Sequence, residues 1–153
     1  PVPALWFVAI TIVAWFILHK TSFGFKVYAT GGNEEAARLS GINTNRVRIT
    51  NFVLIGTAAA LASIIQMAYL RGVTPTAGQG MELMVIASTV IGGTSMFGGV
   101  GTIIGSFIGT LFMGVVRNGL VLMGTSAYLI ELIIGIVLIS AVWFSTFSTR
   151  ERR

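Results

Sequence analysis

No Asp, Glu, Lys or Arg falls within residues 2–18, 49–70, 83–97 or 102–116, and the last apolar run, 127–144, holds only Glu131. This avoidance constrains the fold more than any motif. A charge at the bilayer centre costs roughly 2.5–3.5 kcal/mol on insertion scales. A helix of about 20 apolar residues, by contrast, crosses the ~30 Å hydrocarbon core with its backbone satisfied internally. The runs therefore read as membrane spans. Composition agrees, since 54% of the 153 residues are hydrophobic and 10% charged, whereas a soluble domain carries about 25% charged residues. Too little charge is available to clothe a water-facing surface.

The expected fold is all-α and polytopic, with about five transmembrane helices at residues 2–18, 49–70, 83–97, 102–116 and 127–144. An extramembrane loop occupies 20–48, and 145–153 forms a tail. Trp6 and Trp15 are suited to anchor the ends of the first span. Small residues at four-residue spacing (Gly56, Ala60; Ala58, Ala62) let another helix approach the second. Gly101, Gly105 and Gly109 offer a packing groove in the fourth. Between the third and fourth spans lie Gly92, Gly93, Thr94, Ser95, Gly98 and Gly99. Two readings of this stretch stand: a plain glycine hairpin, or a broken, re-entrant helix beside a transport path, where irregular backbone is tolerated because it lines a wet cavity. Arg117, Asn118 and Gly119 interrupt the apolar pattern, and 71–82 is rich in turn residues.

Lys20, Lys26, Arg38, Arg46 and Arg48 face only Glu34 and Glu35 in the 20–48 loop. The positive-inside rule places this loop in the cytoplasm. With five spans, the tail's Arg150, Arg152 and Arg153 lie there too, leaving Arg71 and Arg117 outside; a re-entrant 83–116 would move the tail outside. The net charge of +5 thus follows membrane topology and gives no basis for a nucleic-acid partner. The chain starts at Pro1 with no basic stretch before its first apolar run, so it reads as a fragment without a signal peptide.

Within the loop, Asn33 is placed to cap a helix over about 34–40. Glu34 and Glu35 fall in its first turn, Arg38 near its end, and Gly41 where the chain leaves it. Each suits the helix dipole and the terminal geometry. So short a helix requires a docking partner. Glu35-Ala36-Ala37, three residues and Gly41 reproduce the EAA-x3-G core of ABC import permeases. The surrounding 28–42 (YATGGNEEAARLSGI), 80–83 (GMEL), 86–101 (IASTVIGGTSMFGGVG) and 118–119 (NG) extend the likeness. The chain resembles the C-terminal half of the ribose-type permease family, from about residue 23 to 141. It lacks the Leu-Pro ending of the general pattern after Gly41, and Glu131 stands where an uncharged residue is expected.

That resemblance implies a multi-pass permease of the bacterial inner membrane, embedded in lipid, importing a monosaccharide. It also implies a second permease subunit, a cytoplasmic ABC ATPase subunit and an extracytoplasmic sugar-binding protein. Asn33, Glu34, Glu35, Ala36, Ala37, Arg38 and Gly41 become candidates for ATPase coupling. Ser88, Gly92, Gly93, Thr94, Ser95, Gly98, Gly99 and Asn118 become pathway or helix-break candidates, with Asn51, Gln66 and Thr89 as further polar residues, all open equally to ordinary interhelical bonding.

No enzymatic role is expected. The sequence has no cysteine and one histidine, His19, so it offers neither a thiol nucleophile nor a metal cluster. Adjacent Glu34 and Glu35 do not face each other on a helix. The glycine-rich stretch lacks the GK[ST] of a phosphate loop. No cofactor is implied. The competing class is an ion-coupled secondary carrier built around Glu131, for which Arg117 is the candidate charge partner.

Overall fold

The computed structural model describes residues 2–72 and 78–150, and every described element is helical. The chain divides into two compact units, Pro1–Ala77 and Gly78–Arg153. In the first, α1 (Val2–Lys20) leads into α2 (Ser22–Gly32), α3 (Glu34–Leu39) and α4 (Thr44–Leu70); in the second, α5 (Met81–Ile91), α6 (Ile103–Leu122) and α7 (Ala127–Arg150) pack together. Helices α1, α4 and α6 are long and apolar enough to cross a membrane, and α5 and α7 add shorter apolar stretches. The protein is a polytopic membrane protein. Phe16, Phe52, Ile55 and Leu70 stand exposed on α1 and α4. A water-soluble surface would not tolerate such a density of large apolar groups, whereas lipid accepts it.

In the first unit, the 20–48 stretch holds more helix than the sequence suggests. Helix α2 was unexpected: its ending at two glycines and its scattered polar residues look like loop, and tertiary contact decides it. Gly24 is buried where a Cβ would run into the Leu18 carbonyl, so only glycine lets α2 fold back against the end of α1. The Thr21 hydroxyl, at the junction, donates to the Ile17 carbonyl at 2.6 Å. Helix α4 starts at Thr44, five residues before the expected span, because Asn43 Oδ1 accepts from the Arg46 amide at 3.0 Å and caps a polar first turn. At about 1.5 Å per residue, its 27 residues extend roughly 40 Å, beyond the hydrocarbon core. At the end of α1, Trp15 stacks on His19 with centroids 5.6 Å apart, and Lys20 Nζ lies 5.8 Å over the same indole. The arrangement suits a membrane interface.

The second unit is an antiparallel α5–α6 hairpin with α7 alongside α5. Gly92 meets Gly105 and Ser88 meets Gly109, backbone against backbone, with no room for a Cβ between them. This approach brings Ala87 and Met113 into one cluster with Ile130 and Ile134 of α7. The expected span at 83–97 is corrected to an 11-residue helix, about 16 Å long and too short to cross by itself. Residues beyond Ile91 form a turn. Helix α6, expected at 102–116, instead runs through Arg117, Asn118 and Gly119 to Leu122, since one glycine inside a helix costs only about 1 kcal/mol. It stops where Gly124 takes a positive φ and the Gly124 and Thr125 amides donate back to Val121 and Leu120. Helix α7 continues past the expected 144 to Arg150, so the start of the expected tail is helical; Arg152 and Arg153 lie outside the described residues.

Candidate functional site

Helix α3 has both ends closed by its own sequence. Asn33 Oδ1 accepts from the Ala36 amide at 3.0 Å. At the other end the Gly41 and Ile42 amides donate to the Arg38 and Ala37 carbonyls, each at 3.0 Å, with Gly41 at φ +82°. This pair of bonds requires a left-handed residue, which glycine supplies without strain. Six residues make fewer than two turns, so these caps and tertiary contacts hold α3 in place.

The two faces of α3 differ. Ala37 is buried, as are Thr44 and Val47 of α4. Glu35, Ala36 and Ser40 are exposed, and so is Leu39, at 86%. Glu34 turns the other way. Its Oε1 accepts from Arg38 Nη2 at 2.7 Å and from the Thr44 hydroxyl at 3.2 Å, and its Oε2 accepts from Arg48 Nη2 at 2.7 Å. Arg38 Nε also donates to Thr44 Oγ1 at 2.9 Å. Desolvation pushes the Glu34 carboxyl upward, but the Thr44 hydroxyl and the charges of Arg48 and Arg38 outweigh it and hold the group below the usual carboxylate range. Neighbours in sequence, Glu34 and Glu35 have separate surroundings.

Thr44 and Arg48 are the residues of this candidate site that sequence reasoning missed. They lie four apart on α4 and share a face, a relation hidden when the helix is started at 49. Asn43, a good capping residue just ahead, was the available signal.

The pathway candidates divide. Ser88 is buried, and its hydroxyl donates to the Met84 carbonyl at 2.6 Å, inside the α5–α6 seam. Gly92 and Gly93 close α5. The Thr94 and Ser106 hydroxyls lie 3.4 Å apart, the Ser95 amide donates to the Val100 carbonyl at 2.9 Å, and Gly98 and Gly99 carry the turn at positive φ. Gly101 precedes α6 and faces Thr94, so the helix seam is made by Gly105 and Gly109. The chain reverses here as a hairpin, and its first arm is a half-length helix. Asn118 lies at the other end of α6, about 20 Å from Gly105 at 1.5 Å per residue.

The expected Arg117–Glu131 pair is not formed. The two ion pairs among the described residues both belong to Glu34. Arg117 Nη1 instead donates to Met84 Sδ at 3.6 Å, and the Glu131 carboxylate lies against Gly80, with Oε1 2.9 Å from where a Cβ there would stand. Gly80, the residue just before α5, has no side chain and so leaves space for the Glu131 carboxylate. No group of three or more potential metal ligands occurs among the described residues.

Residues 2–142 match the sequence profile of the family described as branched-chain amino acid transport system / permease component. The chain is 47% identical over 143 residues to the ribose import permease protein of Escherichia coli K12, covering 93% of this chain and 44% of that protein. It is 39% identical over 151 residues to the xylose transport system permease protein of Haemophilus influenzae, covering 99% and 40%. A probable ABC transporter permease protein of Escherichia coli K12 is 41% identical over 151 residues, covering 99% and 46%. The chain thus spans less than half the length of these relatives. No solved structure matches it.

Proposed function

This chain belongs to the branched-chain amino acid transport system / permease component family, as a multi-pass protein of the bacterial inner membrane, and on that premise we propose that it is part of the permease subunit of an ATP-driven monosaccharide importer. Its helices line part of the sugar path, and α3 receives the stroke of a cytoplasmic ATPase subunit. A second permease subunit and an extracytoplasmic sugar-binding protein complete the assembly. Ribose-like sugars are the substrate class favoured by the named relatives.

The observation that carries the reading is the outward face of α3. A six-residue helix, capped at both ends and fixed to α4, presents Leu39, Ala36 and Glu35 to the surroundings. Leu39 offers an apolar knob, Ala36 leaves space beside it, and Glu35 supplies a charge for a basic residue on a wet protein surface. Such a surface transmits rigid-body movement and performs no covalent chemistry. The pathway set is assigned to the α5–α6 hairpin, where Thr94, Ser95 and the positive-φ glycines place polar backbone beside a half-length helix.

The assembled transporter in proteoliposomes tests this. Labelled ribose uptake should require ATP and the binding protein, stop with vanadate and withstand a protonophore. Leu39→Arg should release the ATPase subunit during purification and abolish uptake. Uptake that resists vanadate and collapses with the protonophore would instead establish the ion-coupled carrier.

A further inference from the structure

We propose that Glu34 is a positioning residue, a latch that joins α3 and the first turns of α4 into a single lever. The inference rests on the reading of α3 as the ATPase-facing element and specifies how movement leaves it. Between α3 and α4 the chain runs only through residues 40–43, including exposed Gly41 in a left-handed conformation. A linker of that kind absorbs rotation. For a push on Leu39 to reach the membrane, α3 has to be tied to the span by side chains as well.

Glu34 is where those ties converge. Both carboxylate oxygens are engaged, one by Arg38 of the same helix and by Thr44, the other by Arg48 one turn further along α4. Thr44 closes the ring by accepting from Arg38 while donating to Glu34. It is 2% exposed, so its hydroxyl has no water to exchange for these partners. Each 2.7 Å ion pair is partly exposed and so modest by itself, but with a guanidinium on each side of one carboxylate the two together resist shear in two directions. Beneath the ring, Ala37 and Val47 are buried. Force enters on Leu39 and Glu35, passes through Glu34 to Arg48, and turns α4 from its end.

The test is uptake and ATP hydrolysis measured in the same proteoliposomes of the assembled transporter. Glu34→Gln should keep the ATPase subunit bound and hydrolysis running while sugar delivered per ATP falls by up to about fivefold, the change an exposed ion pair makes in an equilibrium. Arg48→Lys, which keeps the charge, should retain most of the coupling. The chain contains no cysteine, so Glu34→Cys combined with Arg48→Cys can be rejoined by a bifunctional thiol reagent. Crosslinking should restore uptake per ATP without restoring either charge.

Wild-type coupling in Glu34→Gln overturns the latch, as does a crosslinked pair that regains no uptake with the ATPase bound. Loss of the ATPase subunit from Glu34→Gln would also overturn it, because Glu34 would then be a docking residue. A wild-type transporter without ATP-dependent uptake would instead overturn the underlying reading.

Discussion

Replacing Gly109 by alanine separates close packing from helix propensity in the α5–α6 hairpin. A Cβ at this position would stand 3.0 Å from the Gly92 nitrogen and 3.1 Å from the Ser88 carbonyl carbon, and nearer still to the Ser88 oxygen. Ordinary Cβ contacts begin at 3.4 Å, so α6 must retreat by at least several tenths of an ångström, against backbone that has no rotamer to yield. Gaps of 0.5–1 Å forfeit about a quarter to a half of each dispersion contact, and fully buried Met113 lies one turn along the same face. An extra methyl in a packed core costs about 1–3 kcal/mol. Gly114, on the same helix, has nothing among the described residues within 4 Å of its Cβ position. Gly114→Ala therefore brings the same propensity gain of up to about 1 kcal/mol without the clash. The difference between the two variants isolates the clash and should be about 1–3 kcal/mol. Unfolding followed by tryptophan fluorescence in detergent measures it. Gly109→Ala as stable as Gly114→Ala would show that the hairpin does not close on glycine.

Three further outcomes follow from the first unit. The Thr30 hydroxyl is buried without a hydrogen-bond partner among the described residues, so Thr30→Val should raise stability by about 1 kcal/mol, read in the same unfolding assay. Gly41→Ala should cost about 1–2 kcal/mol from backbone strain alone, because its Cβ position is open; Gly41→Asn should cost less, and hydrogen exchange at the Ile42 amide reports both. The Glu34 carboxyl is held below its ordinary value of 4.5, so its contribution is fully present above that pH and is lost as pH falls through the lower folded value. Exchange protection of α3 should hold at pH 5 and fall, without vanishing, on stronger acidification, since the Asn33 and Gly41 caps do not titrate. In Glu34→Gln that acid step should be absent.

The caps of α3 were legible because they are local: Asn33 and Gly41 act within a few residues of themselves, through backbone geometry that the sequence states directly. The apolar runs were legible because lipid selects on composition. Helix α2 was not, because Gly24 looks like a helix breaker until the Leu18 carbonyl is seen to fill the place of its side chain. Nor was the partnership of Glu34 with Arg48, fourteen residues away: Arg38 is a helix neighbour four residues on, but which of the more distant basic residues joins it at 2.7 Å is set only in space. Glu131 failed for the same reason: its depth suggested a charge partner, and its carboxylate lies instead against Gly80, just ahead of α5.

By itself the sequence determined a membrane protein, its main spans, its short capped helix and its family resemblance, because hydrophobic patterning and capping are one-dimensional signals. Only the tertiary structure decided that α5 stops at half-length and that Gly105 and Gly109 close the hairpin. It also decided that Glu34 faces inward to α4 while Glu35 and Leu39 face out. Those outcomes depend on which groups meet across separate helices, where differences of a few ångströms select among many chemically equivalent partners.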